Sequence, residues 1–137
     1  MGTFVHFLLL IRSNKRNIMS SNIFILDDDE SVCRALKTLL MTYDFVVKTF
    51  NSAQNFFDNV AVNDPGCLLL DIHMPRLDGW EVQKRILSSG SSRPIIFISA
   101  EKQDNATERA LKVGAVGFLQ KPVNAQTLVD LINSSVK

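Results

Sequence analysis

Four apolar runs in this chain of 137 residues each lead into residues capable of chemistry. Ile23 to Leu26 runs into Asp27, Asp28 and Asp29, and Cys67 to Leu70 runs into Asp71. Pro94 to Ile98 is followed by Ser99, and Val116 to Leu119 leads through Gln120 to Lys121 and Pro122. If the runs are strands of one open sheet, their polar ends meet at one edge, where such sheets bind ligands. Each residue also has a plain role. Asp28 or Asp29 could cap a helix, Asp71 could be a loop acid, Ser99 a turn hydroxyl and Lys121 a surface lysine. Brought together, however, Asp27, Asp28 and Asp71 crowd like charges, which costs energy or raises a pKa unless a cation neutralises them. Hard carboxylate oxygens with room for water and phosphate suit Mg²⁺. A carboxylate can also attack phosphorus to form an acyl phosphate. That transfer needs an in-line donor and charge neutralisation on the equatorial oxygens. A metal ion, the Lys121 ammonium and the Ser99 hydroxyl would supply three anchors for them.

The intervening segments have helical spacing. Val32, Leu36, Leu39, Leu40 and Tyr43 form one stripe, and Ala53, Phe56, Phe57 and Val60 a second, with Ser52 as its N-cap. Phe45 to Phe50 is rich in strand formers, and Asp64-Pro65-Gly66 punctuates the chain before Cys67. Trp80 to Ser89 reads as a third helix. Ala106, Ala110 and Val113 mark a fourth, with Gly114 in the left-handed position past its end, and Leu128, Leu131 and Ile132 mark a fifth. Five continuous apolar strands alternating with five helices predict an α/β fold, a doubly wound parallel sheet covered on both faces.

Composition sets the outer limits. A hydrophobic content of 46% and a charged content of 21% are those of a globular domain with a real core. The net charge of +1 is uneven. Arg12, Lys15 and Arg16 lie in residues 1–22 with no acid, which leaves 12 of the 15 basic residues to face all 14 acids in the remainder. That body carries no electrostatic footprint for direct nucleic-acid binding. Cys33 and Cys67 sit in apolar patterns without metal-ligand spacing and read as buried reduced thiols rather than a disulfide or a zinc site. Phe4 to Ile11 is apolar, but eight residues cannot span a bilayer, and the positive charges follow the run instead of preceding it as in a signal peptide. Residues 1–21 are therefore expected to be an N-terminal extension to a single domain over 22–137. Translation is expected to start at Met19; the alternative is an amphiphilic tail that docks on the body or on a partner.

The motifs resemble those of bacterial two-component response regulator receiver domains, and among them receivers of the FixJ type. Ile23 to Glu30 is similar to their acidic opening, Asp71 to Gly79 to their phosphoacceptor loop, Ile98-Ser99-Ala100 to their switch hydroxyl, and Gly114 to Pro122 to their final strand and lysine. The similarity spans roughly residues 22–136 in the right order. It implies a flavodoxin-like strand order 2-1-3-4-5 and a Mg²⁺ cofactor. Asp71 would be the phosphoacceptor, Asp28 a direct metal ligand, Asp27 a ligand through water, and the His73 carbonyl the remaining protein ligand. Asp29 would cap the first helix. Ser99 and Lys121 would engage the phosphoryl group, with a cis Lys121–Pro122 peptide. Phe118 occupies the place of a rotating aromatic, although a plain core phenylalanine on an edge strand is the simpler role. His73 and Glu101 would line the approach of hydrolytic water, the imidazole facing solvent.

The resemblance further implies a cytoplasmic phosphorylation switch rather than an enzyme with turnover. A sensor histidine kinase would be its donor. Movement of Ser99 and Phe118 would reshape the surface of the fourth helix, fifth strand and fifth helix, through which a homodimer could form. Such a receiver could stand alone, or be half of a DNA-binding transcriptional regulator. Two alternatives stand apart. A pseudo-receiver would share the fold and never be phosphorylated. An aspartyl-phosphate phosphatase would use Asp27 and Asp29, an acid pair two residues apart, and would leave Asp71 and Lys121 unexplained.

Overall fold

The computed structural model describes residues 22–102 and 104–135. The expectations for residues 1–21 lie outside them. The strands are β1 (Asn22–Leu26), β2 (Val46–Phe50), β3 (Cys67–Asp71), β4 (Ile95–Ser99) and β5 (Gly117–Gln120). The helices are α1 (Glu30–Met41), α2 (Ala53–Asn59), α3 (Gly79–Ser88), α4 (Ala106–Lys112) and α5 (Ala125–Ser134). All pairings are parallel, and the strand order is β2-β1-β3-β4-β5. Each βα unit buries its strand, which is why β3 and β4 are buried along their whole length and apolar up to their final residues.

Alternation along each strand splits the core into two layers. Phe24 and Leu26 of β1 join Leu68, Leu70 and Phe97 beneath Phe56 of α2, Trp80 and Ile86 of α3 and Ala110 of α4. Ile23 and Ile25 join Leu69, Ile96 and Ile98 on the other face, beneath Leu36 and Leu40 of α1 and Leu128 and Ile132 of α5. The chain leaves β1 for β2 on one side and then crosses back to β3 on the other. The switch point of the sheet therefore lies between the carboxyl ends of β1 and β3.

Local signals set the element ends. Ser52 Oγ accepts from the Asn55 amide and caps α2 as expected. Gly114, at φ 86, ends α4 in the left-handed region. The first helical stripe is shorter than its pattern. α1 stops at Met41, the Thr42 and Tyr43 amides turn back onto Leu39 and Leu40, and Asp44 takes φ 67. Tyr43 consequently leaves the core face and is 40% exposed. Pro94 and Val116 flank β4 and β5 rather than belonging to them, the Pro94 carbonyl accepting from Leu68 and the Val116 amide donating to Ile95.

α4 meets the core through small side chains. Its buried residues are Ala106 and Ala110 alone, and its N-cap Asn105 has a left-handed backbone and no side-chain capping bond. At the opposite end of the sheet the anchoring is strong. The Arg93 guanidinium lies 5.0 Å from the Phe24 ring centre and 5.9 Å from that of Phe56. It also donates to the carbonyls of Gly66 and Ala61, both at 3.1 Å. Arg93→Ala would strip both carbonyls of a donor and the rings of a cation, lowering stability by about 2 kcal/mol. Urea unfolding should show a lower midpoint at unchanged slope. Arg93→Lys should recover little, because an ammonium lacks the planar fork that reaches two acceptors.

Candidate phosphoacceptor site

At the switch point the end of β1 and the end of β3 each deliver an acid. Asp27 follows β1 and is fully buried, fixed from several directions. Its amide donates to the Phe50 carbonyl, its carbonyl accepts from the Cys33 thiol, and its Oδ1 accepts from the Asp29 amide at 2.9 Å. Asp71 closes β3 and is 3% exposed. Asp28 is exposed, and its carboxylate has no hydrogen-bond or ion-pair partner among the described residues. One carboxylate oxygen from each of Asp27, Asp28 and Asp71 lies within 4.8 Å of the others.

The neighbouring acid has a different task. Asp29 Oδ1 accepts from the Ser31 amide and hydroxyl and from the Val32 amide, which makes it the N-cap of α1. The Ser31 hydroxyl first, then the two amides, hold its pKa below the ordinary carboxylate value. Asp29 is thereby committed to the helix end, which disfavours a phosphatase built on the Asp27 and Asp29 pair.

Lys121 enters from β5, across the full width of the crevice. Its Nζ donates to Asp27 Oδ2 at 2.6 Å and lies 3.4 Å from Asp71 Oδ1. Its amide donates to the Ser99 carbonyl, and the Lys121–Pro122 peptide is cis. Burial works against the ammonium, but the Asp27 hydrogen bond and charge, with Asp71 behind them, outweigh it and raise its pKa. Asp71 is less well compensated. Burial first, then the Asp27 charge, push its carboxyl up to about 6 against the partial relief from Lys121.

Ser99 ends β4 and is fully buried, its Oγ accepting from the Glu101 amide at 3.1 Å. The Glu101 side chain turns the other way, placing Oε2 3.5 Å from His73 Nε2. Both groups are largely exposed, so the His73 imidazole faces the rim rather than the three carboxylates. Phe118 is half-buried against the layer that contains Phe97 and Trp80. Cys33 and Cys67 are free and buried, and burial pushes their thiols up to about 11 and about 12, so neither is reactive at neutral pH.

Two features of the site have no local signature. The pairing of His73 with Glu101 joins two loops, and only their matching offsets from Asp71 and Ser99 hinted at it. Gly79, at the start of α3, touches the end of β3. A Cβ there would stand 2.5 Å from the Asp71 carbonyl oxygen, and the Gly79 amide donates to the Ile72 carbonyl. The helix start is thus pressed against the backbone that carries Asp71.

Known proteins agree with this geometry. The family profile described as response regulator receiver domain matches residues 23–133. The chain belongs to the response regulator receiver family. It is 37% identical over 121 residues to the response regulator protein TmoT of Ectopseudomonas mendocina, covering 88% of this chain and 55% of that protein. It is 34% identical over 116 residues to the transcriptional regulatory protein FixJ of Bradyrhizobium diazoefficiens, covering 85% and 57%. Among solved structures, the response regulator StyR superposes with a TM-score of 0.77 at 38% identity, covering 84% of this chain and 58% of that one. FixJ-N superposes at 0.73 and 28% identity, covering 84% and 92%. The receiver spans about half the length of the curated relatives it matches. No helix among the described residues is long and apolar enough to cross a membrane.

The raised pKa of Asp71 makes a signed prediction for the metal-free receiver. Its folded value of about 6 exceeds the ordinary 3.8, so folding favours the protonated acid. That stabilisation is complete below pH 3.8 and is lost as pH rises through about 6. In EDTA at pH 7.5, Asp71→Asn should therefore unfold later than wild type, by ~1–3 kcal/mol. The gap should close as the pH falls toward 4. Denaturant unfolding at several pH values measures it.

Proposed function

We propose that Asp71 accepts a phosphoryl group and that residues 22–137 form a phosphorylation switch, with residues 1–21 an extension to it. The observation that carries this reading is the buried Asp71 carboxylate, held beside Lys121 Nζ and facing the Asp27 and Asp28 oxygens. The donor set is all oxygen, Asp28 has no hydrogen-bond or ion-pair partner among the described residues, and one ammonium offsets only part of the charge of three carboxylates, which suits Mg²⁺. Asp27, Asp28 and Asp71 would hold the ion together with the His73 backbone carbonyl. When bound, Mg²⁺ would neutralise charge on the phosphoryl oxygens.

Ionised Asp71 attacks the phosphorus of the donor with one carboxylate oxygen. The new O–P bond replaces the donor's bond to phosphorus, and the leaving group departs with the electron pair. The acyl phosphate carries about −1.5 to −2 of charge at neutral pH, with three acceptor oxygens, where Asp71 carried a single charge. Lys121 then has a stronger partner than Asp71 alone, and the Ser99 hydroxyl a phosphoryl oxygen to donate to. Ser99 would leave its Glu101 contact, and Phe118 would turn into the space vacated beside it. The outcome is a shift between two arrangements of the surface formed by α4, β5 and α5.

The donor would be a sensor histidine kinase, in the cytoplasm. Exposed Leu111 on α4 supports a homodimer through the same surface. The receiver would undergo only its own phosphotransfer and slow hydrolysis, without turnover of other substrates. Its match to about half of each longer relative, TmoT and FixJ among them, supports a second reading, in which it is the receiver half of a transcriptional regulator.

Intact mass after treatment with acetyl phosphate tests the proposal. One phosphoryl adduct should form with Mg²⁺, be absent with EDTA and be absent from Asp71→Asn. An adduct persisting in Asp71→Asn would move the acceptor elsewhere, and no adduct on wild type with Mg²⁺ bound would favour a pseudo-receiver.

A further inference from the structure

We propose that Arg109 and Gln83 form a latch that holds α4 in its unphosphorylated arrangement and is released when Asp71 is phosphorylated. The proposal rests on the phosphoacceptor reading above and names residues that have no part in the chemistry.

α4 needs such a latch. Its seven residues bury only two alanines against the sheet, and its first turn lacks a side-chain cap. Two side-chain contacts tie this helix to α3. The Arg109 guanidinium lies 4.0 Å from the centre of the Trp80 ring, a cation–π stack. Gln83, 2% exposed, donates through Nε2 to the Val113 carbonyl at 2.7 Å, just past the end of α4. One tether thus grips the middle of α4 and the other its C-cap.

Both ends of this arrangement connect to the site. α3 begins at Gly79, pressed against the Asp71 carbonyl, so the base of the latch is fixed to the acceptor strand. The Trp80 ring carries Arg109 and packs on Phe97, with ring centres 4.3 Å apart. Phe97 is the register partner of Phe118 across β4 and β5. A turn of Phe118 therefore changes the packing of Phe97, and through it the indole on which Arg109 rests. Linkage makes the coupling reciprocal: if phosphorylation weakens the latch, weakening the latch favours phosphorylation.

Trp80 is the only tryptophan of the chain, so its emission reports on the latch directly. The full chain, Arg109→Ala, Arg109→Lys and Gln83→Leu would each be treated with acetyl phosphate and Mg²⁺, with adduct mass and Trp80 emission followed over time. Far-ultraviolet circular dichroism would establish that each variant is folded. Wild-type emission should change as the adduct forms. On this proposal, uptake proceeds from the released arrangement. Arg109→Ala should therefore take up the phosphoryl group about 2- to 5-fold faster, the range over which an exposed cation–π contact shifts the population of that arrangement. Arg109→Lys, which keeps a cation above the ring, should return toward the wild-type rate. Gln83→Leu leaves the atoms of the stack in place and should also accelerate uptake. Folded Arg109→Ala that reacts at the wild-type rate or slower would overturn the latch, as would wild-type emission indifferent to phosphorylation. In either case the adduct itself would leave the phosphoacceptor reading standing. No adduct on wild type would overturn both.

Discussion

The architecture depends on keeping negative charge buried at the end of a sheet. Asp27 and Asp71 are almost inaccessible to water, and the cation that reaches both is the Lys121 ammonium. A buried carboxylate without a partner would cost several kcal/mol or pick up a proton. Here the ammonium bonds closely to Asp27 and reaches Asp71 only at the limit of a hydrogen bond. The imbalance leaves Asp71 as the acid with charge still to be neutralised, and its raised pKa is the measure of that. Asp27 serves as the fixed reference point of the site, tied by its backbone to β2 and α1 and by its side chain to β5.

The parallel sheet makes this possible because it is covered on both faces. Two apolar layers hold β1, β3 and β4 rigidly, so the residues at their carboxyl ends share a crevice with little freedom to move apart. Rigidity is not uniform, however. Near the site, α3 is pinned to β3 through Gly79, while α4 rests on small side chains and polar tethers. An element attached through small side chains moves at lower cost than the core, and α4 is such an element. The free energy available from a few charge-assisted hydrogen bonds can shift a helix held this lightly, whereas it could not repack Leu26, Leu70 or Phe97.

Much of the site was readable because it follows from chain order alone. Apolar runs of strand length bracket the helical stripes, and the residues that follow them must lie at one edge of a parallel sheet. Chain order therefore places Asp27, Asp28, Asp71, Ser99 and Lys121 together. Capping signals were equally legible, since Ser52 and Gly114 act on neighbours within three or four residues. Tyr43 marks the limit of the same logic. It continued the helical period of α1, but the turn at Thr42 to Asp44 took it out of the core, and no periodicity records where a helix stops.

The amino-acid sequence by itself determined the strand and helix order, the split into two apolar layers and the chemical types at the switch point. These depend on continuous apolar runs of strand length and on a helical period of about 3.6 residues, which local sequence carries in full. Tertiary structure alone decided which acid is paired and which is left with a raised pKa, since Lys121 and Asp27 are 94 positions apart. It also decided that His73 meets Glu101, that Arg93 clamps the far end, and that Arg109 stacks on Trp80. Side-chain contacts between distant elements are set by the sub-ångström fit of packed layers, and no spacing along the chain encodes that fit.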